Sequence, residues 1–234
     1  MASARKTASS RFVLIDALRG FAVILMIFFH LFYDLNIFRL VTIDVIENPF
    51  WFALPRFIVA VFLICVGIGL ALVHKDGIRW ESVWKRFTQI GGCALLITGI
   101  TVVFFPKQYI FFGILHCIAV SSVLGLLFVK YPRASLVGFF AIILSYAIIK
   151  PSMEPLLDWL GIQPLDFIPI YPWFGLVLLG IFLEFIRFHK IPVQQTQVVK
   201  CLEYFGRHSL IIYLIHQPVL FGMCYAIYKM RSGI

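Results

Sequence analysis

Charged side chains are scarce in this chain: 13% of its 234 residues are Asp, Glu, Lys or Arg, while 62% are apolar. Soluble domains carry about a quarter charged residues and about half apolar ones, so an ordinary water-soluble fold is excluded. Acids are the scarcer sign, 11 against 20 basic residues. The resulting charge of +9 would suit a nucleic-acid binder, but Lys and Arg fall mostly in short segments between apolar runs. No basic face is left for a duplex, and nucleic acid is not an expected partner. The five cysteines, Cys65, Cys93, Cys117, Cys201 and Cys224, contain no CxxC spacing, and four lie inside apolar runs. Neither a disulfide framework nor a metal site is indicated by them. No internal repeat, low-complexity tract or linker divides the chain. The first apolar run lacks a small-x-small cleavage site and is read as a retained helix rather than a signal peptide.

What the chain has is apolar length. Seven runs, near 12–33, 53–73, 84–105, 109–129, 134–150, 171–188 and 206–228, are long enough or nearly so to cross the bilayer. The hydrocarbon layer is about 30 Å thick and a helix rises about 1.5 Å per residue. The expected fold is therefore all-α, a polytopic transmembrane bundle of about seven helices. Residues 1–10 form a tail and 11–234 a single transmembrane domain. The segment 151–170 holds four prolines and three acids and reads as an outer loop with an interfacial turn.

Orientation follows from the basic residues. Thirteen, including Arg5, Lys6, Lys75, Arg79, Lys85, Arg86, Lys130 and Arg207, fall on one side; five, Arg39, Lys107, Lys150, Lys229 and Arg231, fall on the other. The side with the excess is cytoplasmic, which places the N-terminus there. His74, His189 and His208, at or near the cytoplasmic ends, are expected to contact lipid headgroups.

Ionisable groups inside a span are costly, so they mark partners or cavities. Span one carries Asp16, Arg19, His30 and Asp34. At 100° per residue all four fall within about 60° of Arg19, on one stripe that cannot face lipid. Arg19 and His30 are separated by about 16 Å along the axis. Asp16 and Arg19 stand three apart, the spacing of a local ion pair. His30 and Asp34 stand four apart, so the carboxylate is expected to reach the imidazole, fix its tautomer and prepare it as a general base. His116 and His216 lie in the outer half of spans four and seven and are candidates for the same site. Arg56, after Pro55, is expected either to meet Asp34 or a substrate anion or to snorkel to the interface.

The opening RFVLIDALRGFAVILMIFFHLFYDL closely resembles the first helix of the heparan-alpha-glucosaminide N-acetyltransferase catalytic-domain family, in its compact bacterial branch. FLICVGIGLAL, YIFFGILHCIAVSS, IYPWFGLVLLGIF and FGRHSLIIYLIHQPVL continue the resemblance in order along the chain. The spacing from Arg19 to His30 is also similar to a motif in the first helix of the acyltransferase-3 family. This resemblance implies a multi-pass enzyme of the bacterial inner (plasma) membrane. It would take acetyl-CoA, or another acyl-CoA, from the cytoplasm and acylate an amine or hydroxyl of a sugar or glycan acceptor on the far side. The CoA phosphates would lie near Asp16, Arg19, Arg207 and the Lys85/Arg86 pair; His30, oriented by Asp34, would deprotonate the acceptor or carry the acyl group, with His116 and His216 as the alternative bases. Lysosomal members use a histidine in the first outer loop; this chain has none between His30 and His74, so that assignment does not carry over. Membrane lipids are partners by composition, and homo-oligomerisation stays open. The competing function is a proton-coupled transporter or exporter using the intramembrane His and Asp residues as a relay. A further reading makes the three histidines metal or haem ligands.

Overall fold

The computed structural model describes residues 13–45 and 47–232, without the side chain of Leu156. The expected tail, 1–10, lies outside the described residues. Nine α-helices follow one another among those described: α1 (Val13–Ile37), α2 (Pro49–His74), α3 (Trp80–Phe104), α4 (Ile114–Gly125), α5 (Pro132–Ile149), α6 (Glu154–Leu160), α7 (Ile170–Phe185), α8 (Gln197–Arg207) and α9 (Ser209–Ser232). Among the same residues a parallel bridge joins Phe112 to Phe167.

Each of the seven apolar runs contains a helix, but among the described helices only α1, α2, α3, α5 and α9 are both long and apolar enough to cross a membrane. The other two, α4 and α7, have 12 and 16 residues, short of the ~20 that hydrocarbon requires. The surface agrees with the membrane character: Leu95, Val103, Phe104, Leu127 and Ile148 are each 68–76% exposed, a display of large apolar side chains that water would not tolerate and lipid does.

Local chemistry sets the helix limits. Pro132 opens α5, where its missing N–H is not needed. Lys150, in the left-handed region at φ 44°, closes α5 just before Pro151. Two helices lie where the sequence was read otherwise. The short α6 stands within the loop segment 151–170 and ends at Gly161, φ 66°. Helix α8 precedes the point where span seven was expected to begin. Its start is fixed by Thr196, whose Oγ1 accepts the Val199 N–H at 3.3 Å.

The described residues fall into two compact units, those within 1–62 and 189–234 and those within 63–188, so that α2 contributes residues to each. In the first unit α1 and α8 cross backbone to backbone at two glycines. A Cβ on Gly20 would overlap the carbonyl of Leu202, and one on Gly206 would overlap the carbonyl of Asp16. Beyond the crossing, α9 packs Phe221, Tyr225 and Tyr228 around Phe38 of the α1 end. Trp51 of α2 lies against Phe28 and Phe32.

The second unit repeats the device. A Cβ on Gly67 of α2 would overlap the Val177 carbonyl, and one on Gly180 of α7 would overlap the Ile64 carbonyl. Small residues of this kind let membrane helices approach closely enough for backbone contact, where apolar burial gives no drive. Around this crossing Leu70, Ala71, Leu126, Leu178 and Ile181 form the core. Ser145 of α5 and Tyr171 of α7 share a hydrogen bond of 2.9 Å.

Because the atoms in the way are backbone, no rotamer change relieves them. Gly20→Val or Gly206→Val should cost at least about 3 kcal/mol and lower the detergent unfolding midpoint sharply. Gly222→Val, at a position where a Cβ meets nothing among the described residues, should leave it nearly unchanged. Equal midpoints for all three variants would contradict the close crossing.

Candidate functional site

The polar stripe of α1 is covered within the first unit by α8 and α9, and the two ends of the stripe differ in kind. At its N-terminal end Arg19 Nη1 meets Asp16 Oδ1 at 3.3 Å, the expected local pair. Arg207 Nε, from the last turn of α8, reaches Asp16 Oδ2 at 3.5 Å. The same guanidinium meets Glu203 Oε2 at 3.5 Å, and Gln195 donates to the other oxygen of Glu203 at 3.4 Å. Two guanidiniums and two carboxylates thus engage one another. Glu203, buried in α8, is absent from the sequence-derived candidates. The α8 register puts it one turn before Arg207, a spacing legible only once α8 is known to be a helix.

At the C-terminal end of the stripe the outcome differs from the expected His30–Asp34 pair. Asp34 is fully buried, at 0% exposure, and its Oδ1 accepts from Gln217 Nε2 of α9 at 3.0 Å. The His30 ring instead faces the ring of His216, edge-on, with centroids 4.9 Å apart. The i,i+4 spacing placed the two groups on one face, but a neighbouring helix supplied the nearer partner for each. Four buried polar atoms here have no hydrogen-bond partner among the described residues: His30 Nδ1, Asp34 Oδ2, His216 Nε2 and Gln217 Oε1. Such atoms are rare in folded proteins and collect at sites that receive a ligand.

The tautomer of His216 follows from its neighbour. Its Nδ1 lies 2.7 Å from the carbonyl oxygen of Tyr213. A carbonyl can only accept, so Nδ1 carries the proton and the neutral ring keeps its lone pair on Nε2, the unpartnered atom. The role expected of Asp34 towards His30 is thus performed for His216 by a backbone carbonyl. Pro218 follows two residues later within α9; lacking an N–H, it cannot bond the Leu214 carbonyl, so the helix ladder is interrupted beside the site.

The remaining candidates are held in other ways. His116 belongs to the second unit, where Nε2 lies 3.4 Å from Thr98 Oγ1. That hydroxyl donates to the Ile110 carbonyl at 2.7 Å, so it accepts from His116, and the pair ties α4 to the end of α3. Arg56 stands over the Phe52 ring, 3.5 Å from its centre, and donates to the Phe52 carbonyl, the cation–π and snorkelling arrangement rather than a contact with Asp34.

His74 and His189 are buried, 4% and 6% exposed, which overturns the expected headgroup contact for both; their rings are taken up by protein. Asp166, overlooked in the loop, accepts the Ile114 N–H at 3.2 Å and serves the N-terminus of α4. Burial pushes its carboxyl up to about 6, against the lowering effect of that N–H. Among the described residues no three His, Cys, Asp or Glu side chains are arranged to hold a metal ion.

Against known families, the model for "Heparan-alpha-glucosaminide N-acetyltransferase, catalytic" matches residues 11–218. That span takes in α1 from its first turn and ends just past His216 and Gln217. No curated protein and no solved structure matches the chain.

The Asp34–Gln217 hydrogen bond links α1 to α9 across a buried polar site, so removing the donor should be expensive. Gln217→Leu should cost about 3 kcal/mol, read as a lower unfolding midpoint in detergent. The double variant Asp34→Leu/Gln217→Leu should recover part of the loss, since neither polar group is then stranded. A double variant less stable than the sum of the two single variants would contradict the pairing.

Proposed function

The chain belongs to the heparan-alpha-glucosaminide N-acetyltransferase catalytic family, and we propose that it passes an acyl group from cytoplasmic acyl-CoA to an amine or hydroxyl of a sugar-type acceptor beyond the membrane. The family carries the acetyltransferase character, and the five apolar spans make it a multi-pass membrane protein. Acetyl-CoA as the donor, a cytoplasmic N-terminus and a bacterial plasma membrane complete the proposal; the charge asymmetry of the loops supports the orientation.

One observation carries the chemistry: the half-buried imidazole of His30 faces the buried imidazole of His216 on a different helix, and His216 holds an unpartnered lone pair. In the proposed step the acceptor hydroxyl or amine gives its proton to His216 Nε2 as its oxygen or nitrogen attacks the thioester carbonyl. The carbon–sulfur bond then breaks and CoA leaves as the thiolate, which the proton on His216 can neutralise. His30 stands at the edge of the same ring and orients the acceptor. The unpartnered oxygens of Asp34 and Gln217 are acceptors that suit the donor hydrogens of a sugar. The Asp16, Arg19, Glu203 and Arg207 cluster holds α8 against α1 beneath the site. His116, bonded to Thr98, supports α4 in this scheme.

A positioned base contributes about 100- to 10,000-fold. His216→Ala and His30→Ala should each lower the transfer of labelled acetyl from acetyl-CoA to amino-sugar acceptors by at least about 100-fold, in protein reconstituted in vesicles, with CoA binding kept. His116→Ala should lose far less. Full activity in both His30 and His216 variants would move the base elsewhere. Substrate flux across the vesicle membrane without CoA would favour the transporter instead.

A further inference from the structure

We propose that the sugar-type acceptor reaches the first unit from within the membrane, carried on a lipid through a phosphate, along the aromatic face of α1 and α2, with Arg56 receiving the phosphate. This rests on the acyl-transfer reading above and specifies how the acceptor is presented to the same site.

The aromatic face begins at the site itself. The Phe29 ring meets the His30 ring edge-on, with centroids 5.4 Å apart, and Tyr33 stacks on Phe29 at 5.9 Å. Trp51, in the first turn of α2, lies 6.4 Å from the same Phe29 ring and nearer to Phe28 and Phe32, at 5.8 and 5.4 Å. Phe29 therefore joins the histidine site to an aromatic surface. That surface is open: Phe28, Tyr33, Phe50 and Phe52 are 39–56% exposed, and His30 is only half-buried. In a membrane span such rings border hydrocarbon, so this side of His30 suits a molecule that arrives on a lipid chain.

A positive charge stands at the same depth. Ring contacts set Trp51 level with Phe28 and Phe32 of α1, the pair that brackets His30. The Arg56 Cα lies about 8 Å further along α2, but its side chain folds back over the preceding turn. Its Nη1 donates to the Phe52 carbonyl and its Cζ sits 3.5 Å above the Phe52 ring. The guanidinium is thereby returned to the level of Phe52, one residue after Trp51. Arg56 is exposed, and among the described residues no carboxylate pairs with it. The carbonyl and the ring hold the planar fork in place without neutralising it, and its remaining N–H groups match the oxygens of a phosphate. A sugar at the depth of His30 and a phosphate at that of Arg56 are level to within about one helical turn, as the two parts of a glycosyl phosphate are. A water-soluble sugar has no use for the aromatic face. A lipid phosphate without a sugar leaves Asp34 Oδ2 and Gln217 Oε1 unsatisfied. A sugar on a lipid phosphate uses both.

The test uses the full chain in phosphatidylcholine nanodiscs and three forms of one acceptor: methyl glucosaminide, dodecyl glucosaminide, and glucosamine joined to a dodecyl chain through a phosphate at its anomeric carbon. Binding is measured without acyl donor and corrected for partition into empty nanodiscs; transfer is measured with labelled acetyl-CoA. The wild type should bind the phosphate-linked form at least about tenfold more tightly than the dodecyl glycoside. Arg56→Gln should abolish that difference, raising KM for the phosphate-linked acceptor at least about tenfold with kcat little changed, and should leave the dodecyl glycoside unaffected. Arg56→Lys should restore part of the preference. Trp51→Leu should weaken both chain-bearing forms and spare the methyl glycoside.

Equal binding of the three forms, or an Arg56→Gln effect shared by all of them or by none, overturns delivery on a lipid phosphate; transfer to the methyl glycoside then shows the acyl-CoA reading intact. Arg56-dependent binding of phosphatidylglycerol that the phosphate-linked sugar does not displace assigns the arginine to headgroups and likewise overturns the proposal. Arg56-dependent binding of the phosphate-linked sugar with no label passed to any acceptor upholds the docking face and overturns the transferase reading, which is a different failure.

Discussion

Hydrocarbon supplies no hydrogen bonds, so the acids, guanidinium and imidazole of α1 have to be covered by protein. The first unit meets that requirement through close backbone contact. Gly20 and Gly206 remove the side chains that would hold α1 and α8 apart, and α9 continues the cover to the far end of the stripe. With the backbones this near, Arg207 reaches Asp16. Small residues recur at the α2–α7 crossing, where they let the backbones meet and the apolar core forms around Gly67 and Gly180.

Covering the stripe satisfies its two ends unequally, and the difference has chemical consequences. Near the start of α1 each guanidinium finds a carboxylate, so the charges are used up in holding helices together. Near the end of α1 the partners are neutral: a glutamine for Asp34, and one imidazole for another. Among the described residues four buried polar atoms remain without partners there, at a cost that a purely structural arrangement would have no reason to bear. A substrate rich in hydroxyl or amine groups can satisfy them. The geometry also gives the two histidines unlike tasks, because the Tyr213 carbonyl fixes the tautomer of His216 while Nδ1 of His30 stays unbonded.

Much of this was legible in the sequence because it depends on short-range periodicity. The stripe on α1 follows from helical angles, and the Asp16–Arg19 pair from a spacing of three. The family resemblance rested on ordered motifs, and the match over residues 11–218 bears it out. What was not legible depends on distant partners. Gln217 meets Asp34 across 183 positions of chain, and a single glutamine after a histidine carries no signal of that contact. The His30–Asp34 pair was a fair inference from spacing, but one helix cannot reveal that its neighbour offers something closer. Helix α8 was overlooked because its polar face resembles loop sequence, although Thr196 marks its start. His74 is buried with its Nδ1 accepting the Arg79 N–H, a contact outside the motifs that carried the resemblance. The lengths of α4 and α7 were overstated because apolar runs continue past helix ends into extended segments and turns.

The claim at the centre of this account is that the thioester meets its acceptor beside His30 and His216. A structure of the protein with a non-transferable acyl-CoA analogue, its thioester replaced by a stable thioether, tests it most directly. The account predicts the thioether in contact with the two imidazoles, with His216 Nε2 facing the open position for the acceptor. A thioether lodged beside His116, or one that never approaches α1, would contradict it.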